Sequence, residues 1–205
     1  MSASTTKKKY SRETKGTKKS KSSSESKAME SKEDICDADV EELEYKGEGY
    51  EGKVYTYGAE GDKVLKVSKL LPFEIPKFQE AIKLSLHNRE LDRLKITDGL
   101  APINYYYKCN VDDPKRIVHR IIMPYYPLSF ADWYKVRKGN TEAFNNMLFQ
   151  VAYNLAVMHY HLKYIHNDIH FDNIMFSICD KSTEKYFEYI VGSKTYYLRN
   201  MGFRV

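Results

Sequence analysis

From about residue 44 the chain changes to short runs in which apolar and polar positions alternate. Tyr45, then Lys53 to Tyr57, a Gly61-Asp62 turn and Lys63 to Ser68 predict an antiparallel hairpin followed by a third strand. After Pro76 the period lengthens. Residues 77–96 predict a helix with Phe78, Ile82, Leu86 and Leu94 among its apolar positions, and the four-residue steps Leu86, Glu90, Leu94 set a carboxylate on a largely apolar face. Residues 103–109 and 117–123, rich in Ile, Tyr and Val, predict two strands separated by Asp112-Asp113-Pro114. Asn140 or Thr141 caps a helix running to about Leu162, with Phe144, Leu148, Val151, Leu155 and Met158 on one face. Ile174 to Phe176 reads as a short buried strand. Tyr186 to Val191 and Lys194 to Leu198 read as an aromatic hairpin about Gly192-Ser193, and a last strand-like run ends at Val205. The expected class is α+β.

Composition changes the picture at one end only. The 205 residues are 42% hydrophobic and 30% charged, enough for a core and a solvated surface. The net charge of +5 is unevenly spread: residues 1–32 hold nine Lys and one Arg against three Glu, so the remainder is slightly acidic. Residues 1–33 are nearly devoid of apolar side chains and predict a disordered, basic Lys/Ser-rich tail. Lys clusters attract nucleic-acid phosphates, but Tyr10 is the single aromatic among these charges, which favours a solubilising tail. Cys36, Cys109 and Cys179 are odd in number, far apart and without C-x-x-C spacing, so neither a disulfide nor a zinc site is expected. A reducing, intracellular compartment, cytoplasm or nucleus, is the simpler expectation. No apolar run reaches the roughly 18 residues of a membrane span, and no signal peptide is expected.

The candidate chemistry centres on residues 164–176, Tyr-Ile-His-Asn-Asp-Ile-His-Phe-Asp-Asn-Ile-Met-Phe. Asp168 and Asn173, five apart between apolar anchors, suit a loop in which one accepts a hydroxyl proton and the other holds a metal ion. A polar turn is the bland alternative. Upstream, Gly47-Glu48-Gly49-Tyr50-Glu51-Gly52-Lys53-Val54 matches G-x-G-x-x-G-x-V, and Lys66 follows in Lys63-Val64-Leu65-Lys66. Glycines at that spacing let a backbone approach phosphates closely. With the three elements in this order, the chain resembles the protein-kinase superfamily over residues 41–205, and the long hairpin after Ser182, followed by Met201-Gly202-Phe203-Arg204-Val205, more specifically resembles the divergent kinases of large DNA viruses.

The resemblance implies a two-lobe fold, with a β-rich N-lobe over 41–123 and an incomplete helical C-lobe over 124–205. It implies ATP and Mg2+ as cofactors and a protein Ser/Thr hydroxyl as acceptor, in a host cell or virion if viral. ATP would lie under Gly47, Glu48, Gly49, Tyr50, Glu51 and Gly52, between Val54 and Val64 above and Met175 below. Met123 would be the gatekeeper, and backbone groups of Pro124 to Tyr126, Tyr125 included, would meet the adenine edge. Lys66 would grip the α- and β-phosphates, oriented by an ion pair with Glu90, Glu80 being the competing partner. Asp168 would orient the hydroxyl, Asn173 would bind Mg2+, and His170 would stand where a lysine usually contacts the transferred phosphate.

Several residues depart from the pattern. Asn167 replaces an arginine, which predicts no activation through a phosphorylated loop. No Asp occurs after Asp180, so the Asp-Phe-Gly metal ligand is missing, as are the later helices. The expectation is a fragment of an active kinase or a weakly active truncated form, whose 141–162 helix needs a partner to cover its apolar face. A non-catalytic nucleotide-binding module and a small-molecule phosphotransferase resembling choline or aminoglycoside kinases are the alternatives. Four histidines, 159, 161, 166 and 170, also invite a metal reading, without a ligand set at metal spacing.

Overall fold

The computed structural model describes residues 32–49, 52–68, 70, 74–111 and 113–205. Residues 1–31, the bulk of the expected tail, and Tyr50 and Glu51 of the glycine loop lie outside the described residues. The architecture is mixed α+β. Helix α1 (Lys32–Asp37) begins inside the stretch expected to be tail and precedes strands β1 (Tyr45–Gly49), β2 (Gly52–Tyr57) and β3 (Lys63–Ser68). Helix α2 (Ile75–Arg93) leads to β4 (Tyr105–Val111) and β5 (Asp113–Pro124). These five strands form one antiparallel sheet in the order β1-β2-β3-β5-β4.

Strand period decides what each face carries. Val54 pairs with Lys66, Lys66 with Ile121 and Ile121 with Tyr106, while Thr56 pairs with Val64 and Val64 with Met123. Directly paired residues share a face, so Val54, Val64, Lys66, Met123 and Ile121 lie on one side. Helix α2 packs on that side through Phe78 and Ile82, against Ile103 and Ile121. The alternate residues Leu65 and Ile122 are fully buried on the other side against Ile35 of α1. There Cys36 and Cys109 form a disulfide, contrary to the expectation from spacing. The reason is tertiary: α1 lies against β4 and brings together cysteines 73 positions apart in sequence.

The inward face of α2 also differs from the expected one. Leu86 and Leu94 are each about half exposed, at 51%, whereas Phe78, Ile82, Ser85 and Leu91 are buried. Ser85 Oγ and Asn88 Nδ2 both donate to the Ala101 carbonyl, and Arg89 donates to the Asn104 carbonyl. Those bonds turn the 85/88/89 side toward the following segment and leave the 86/90 side to solvent.

After β5 the chain forms β6 (Leu128–Ser129), α3 (Phe130–Arg137) and α4 (Thr141–Leu162), then β7 (Met175–Ile178), the hairpin β8 (Tyr186–Val191) and β9 (Lys194–Arg199), and β10 (Phe203–Arg204). A three-stranded sheet runs β10-β7-β6. Asn140 caps α4 as expected, its Oδ1 accepting from the Ala143 N–H, and Lys163 in the left-handed region ends the helix. The buried stripe of α4 is Ala143, Asn146, Met147, Gln150, Tyr153, Asn154, Val157 and Met158, and Leu148 is exposed. Met201 and Phe203 cover it at one end, and Phe187 and Tyr189 at the other. The buried stripe is covered within the chain, whereas on the expected apolar face Leu148 is exposed and Phe144, Val151 and Leu155 are partly exposed. Among the described residues no helix is long and apolar enough to cross a membrane.

Candidate active site

The loop after α4 is built by backbone geometry. Asn167 adopts a left-handed conformation (φ 56°), which Asn tolerates better than most residues, and this turns the chain at Asp168. His166 Nδ1 accepts from the Asp168 N–H at 3.3 Å, and Asn173 Nδ2 donates to the Asp168 carbonyl at 2.9 Å. Between them Phe171–Asn173 forms a 3-10 turn whose start and end are bonded, Asn173 N to His170 O and Ile174 N to Phe171 O. The far end is anchored because Ile174 and Phe176 are buried beside Trp133, whose indole stacks on Phe176 at 4.8 Å. The Ile174 carbonyl also accepts from the Phe130 N–H.

The Asp168 and Asn173 side chains are thus carried on a loop clasped across its mouth. The Asp168 carboxylate is 80% exposed. Spending Nδ2 on the backbone leaves Asn173 Oδ1 as that residue's donor atom for a cation. His170 lies between two carboxylates, 3.9 Å from Asp168 and 3.6 Å from Asp172. Met175 opens β7 with 37% exposure. Magnesium keeps several waters and takes one or two protein oxygens beside substrate phosphates, so an amide oxygen and a carboxylate fit a phosphate-borne Mg2+. Among the described residues no three His, Cys, Asp or Glu side chains cluster as a metal site.

On the sheet, Val54, Val64, Lys66 and Met123 share the face described above. Gly47 and Gly49 would each carry a Cβ into open space, so nothing in the described chain requires their lack of a side chain. Gly52 is different. At φ +146° its Cβ would meet the Val67 carbonyl at 2.2 Å, so this glycine is demanded by the β2–β3 pairing. Glu48 is exposed on β1.

One expected contact is replaced. Glu90 is exposed and gripped by Arg93, Oε2 accepting from Nε at 2.8 Å and Oε1 from Nη2 at 2.6 Å, instead of pairing with Lys66. That bonding holds the Glu90 carboxyl below its usual range. A partner three residues away on the same helix costs little entropy to hold, whereas Lys66 belongs to another element. Glu80 is also exposed. In the segment after β5, the Tyr125 N–H donates to the Asp62 carbonyl at 2.9 Å, and the Tyr125 ring lies 5.3 Å from Lys46 Nζ, so this N–H is committed to the β2–β3 turn. The next residue, Tyr126, has its phenol pushed up to about 12, by burial first and then by Asp98 and Asp92.

Polar residues outside the expected site hold the segment 199–205 against α4. Asn146, Gln150 and Asn154, all buried, bind main chain: Asn146 Nδ2 donates to Arg199 O, Gln150 Oε1 accepts from Val205 N, and Asn154 Nδ2 donates to Val205 O. Thr97 joins by donating to Asn154 Oδ1 at 2.6 Å. Arg204 pairs with Asp98 and Glu184 over the Phe187 ring. The four-residue spacing of the three amides was the available signal. A shallow depression lined by Glu142, Asn145, Phe149, Leu198 and Arg199 holds none of the expected site residues.

No protein-family model matches the chain, and no curated protein matches it.

Proposed function

We propose that the chain is an ATP-dependent phosphotransferase of the protein-kinase kind, passing a γ-phosphate to a Ser/Thr hydroxyl of a protein. In this reading residues 41–123 are an upper lobe and 124–205 a partial lower lobe. The observation that carries it is the Asn173 clasp on the Asp168 carbonyl, which holds a carboxylate and an amide oxygen on one loop. The shared sheet face of Val54, Val64, Lys66 and Met123, and two glycines unexplained by packing, support it.

Mg2+ bound with the ATP phosphates supplies neutralisation of charge on the transferring group. Asp168 accepts a hydrogen bond from the acceptor hydroxyl at its exposed carboxylate and takes the proton as the oxygen attacks. Lys66 sets a positive charge under the phosphates, and Gly47 and Gly49 offer backbone N–H groups without side chains in the way. His170 donates to the transferred phosphate when protonated and is drawn toward the loop by Asp168 and Asp172. Catalysis of this kind is positioning plus electrostatics. In this reading the chain works where ATP is supplied, inside cells, although the expectation from unpaired cysteines does not carry over, since Cys36 and Cys109 are bonded.

The Glu90–Arg93 pair favours one second reading, a module that binds nucleotide without turnover, because the carboxylate expected to orient Lys66 is engaged by Arg93 on its own helix. The test is transfer of labelled phosphate from ATP with Mg2+ to generic acceptor proteins, beside Lys66→Ala and Asp168→Ala. Transfer abolished by both substitutions supports the phosphotransferase. Folded protein that binds ATP and transfers nothing supports the second reading and sinks the first.

A further inference from the structure

Helix α1 is six residues long, too short to be stable alone, yet Ile35 is fully buried and shares its core with the fully buried Leu65 and Ile122. Two further links hold it there. Arg120, itself buried, donates through Nη1 to the carbonyls of Ile35 and Ala38 at 2.6 and 2.8 Å, capping the helix's C-terminal end. The Cys36–Cys109 disulfide ties the helix to β4. The two sulfur-bearing residues differ in access: Cys109 is 1% exposed, whereas Cys36 is partly exposed. Leu65, which α1 covers, is the immediate neighbour of Lys66 on β3.

We propose that the Cys36–Cys109 bond is a reducible latch, fixing residues 32–43 against the back of the sheet, and that a dithiol reductant opens it and loosens β3. The accessible side sets the chemistry. A thiolate of the dithiol attacks Cys36 Sγ and forms a mixed disulfide, and the Cys109 sulfur leaves with the bonding pair and takes a proton. The second thiol of the reductant then closes its own disulfide and releases Cys36 as a thiol. Two electrons and two protons pass to the protein, and the dithiol is oxidised. With the bond cut, buried Ile35, the partly buried Val40 and Leu43 and the Arg120 bonds are left to hold the segment, whose helix cannot persist undocked. Its departure uncovers Leu65, Ile122 and the partly buried Tyr57, Val67, Tyr105 and Tyr107. The latch stands apart from the phosphotransfer reading, because its readout is structural.

The test uses the full chain purified without reductant. Alkylation with iodoacetamide after denaturation, read by mass, is expected to label Cys179 alone, the free cysteine, and all three cysteines after dithiothreitol. Amide hydrogen exchange across residues 63–68 and 117–124 is expected to quicken at least about tenfold in dithiothreitol. Cys36→Ser should match the reduced protein and ignore the reductant, and Cys179→Ser should respond as wild type does. Three labelled cysteines in the unreduced protein, or exchange unchanged by dithiothreitol, overturns the proposal. The wild-type comparison decides it even if Cys36→Ser does not fold.

Discussion

Replacing each glycine of the loop by alanine separates the glycine the fold requires from those it does not. At Gly52 a new Cβ would stand 2.2 Å from the Val67 carbonyl oxygen and 2.9 Å from Ser68 Cα, with the backbone at φ +146°. Neither neighbour is the end of a flexible side chain. Strand β2 must withdraw from β3, where Lys53 faces Val67. Strain at such a φ costs roughly 1–3 kcal/mol, and each ladder bond lost adds about 1 kcal/mol. Gly52→Ala should therefore lose about 2–5 kcal/mol, a large part of the roughly 5–15 kcal/mol that holds a domain together. Gly47 and Gly49 meet nothing within 4 Å and have no positive φ. There alanine removes unfolded-state entropy, so Gly47→Ala and Gly49→Ala should be neutral or stabilising by up to about 1 kcal/mol. Urea unfolding followed by Trp133 fluorescence measures all three, because that indole is buried in the core between Phe176 and Phe203. A Gly52→Ala midpoint equal to wild type, or a Gly47→Ala loss as large as that of Gly52→Ala, would refute the reasoning. Under the proposed function, Gly49→Ala should instead weaken ATP binding while leaving the urea midpoint in place.

Three further outcomes are expected. Glu90→Gln should leave ATP affinity within about twofold in a direct titration, since Arg93 is the partner it loses; a loss of tenfold or more would restore Glu90 as the orienter of Lys66. Asn154→Ala strips partners from the buried Thr97 hydroxyl and the Val205 carbonyl, so chemical denaturation should show a loss of about 1–3 kcal/mol. His119 is buried against the Tyr106 hydroxyl, and burial, then Lys108, holds its imidazole below the ordinary value, so the folded form prefers it neutral. As pH falls through the unfolded value of about 6.5 the unfolded chain binds the extra proton first, so stability should decline from there down to the depressed folded value. His119→Phe should flatten that decline in denaturation curves at a series of pH values, and an unchanged slope would count against the assignment.

The hairpins were legible because alternation and turn chemistry are local: Gly61-Asp62 and Gly192-Ser193 sit where β2–β3 and β8–β9 turn. The α4 cap was legible for the same reason, as Asn140 precedes a long periodic run. The inward faces of α2 and α4 were misjudged because counting apolar residues misses polar ones whose bonds lie inside. Asn146, Gln150 and Asn154 occupy the stripe that Leu148 was expected to share. The ion pair was misassigned although Arg93 stood three residues from Glu90 in plain view. A bond across 73 residues leaves no trace in cysteine spacing, since only the docking of α1 brings Cys36 to Cys109. Within the candidate site, loop residues adjacent in sequence were found together, whereas pairings between elements depended on packing that no local pattern records.

Toward the segment 199–205 the amides along α4 bind main-chain groups: an N–H at Val205 and carbonyls at Arg199 and Val205. Recognition of that sort is blind to side-chain identity but strict about length. Substitutions between 199 and 205 would leave these pegs engaged wherever the new side chain tolerates its surroundings. A single inserted or deleted residue would slide the backbone by about 3.3 Å and disengage the grip at one end or the other. The helix thus acts as a gauge for the spacing of the strand beside β7, and evolutionary drift in that stretch should show changed letters long before a changed count.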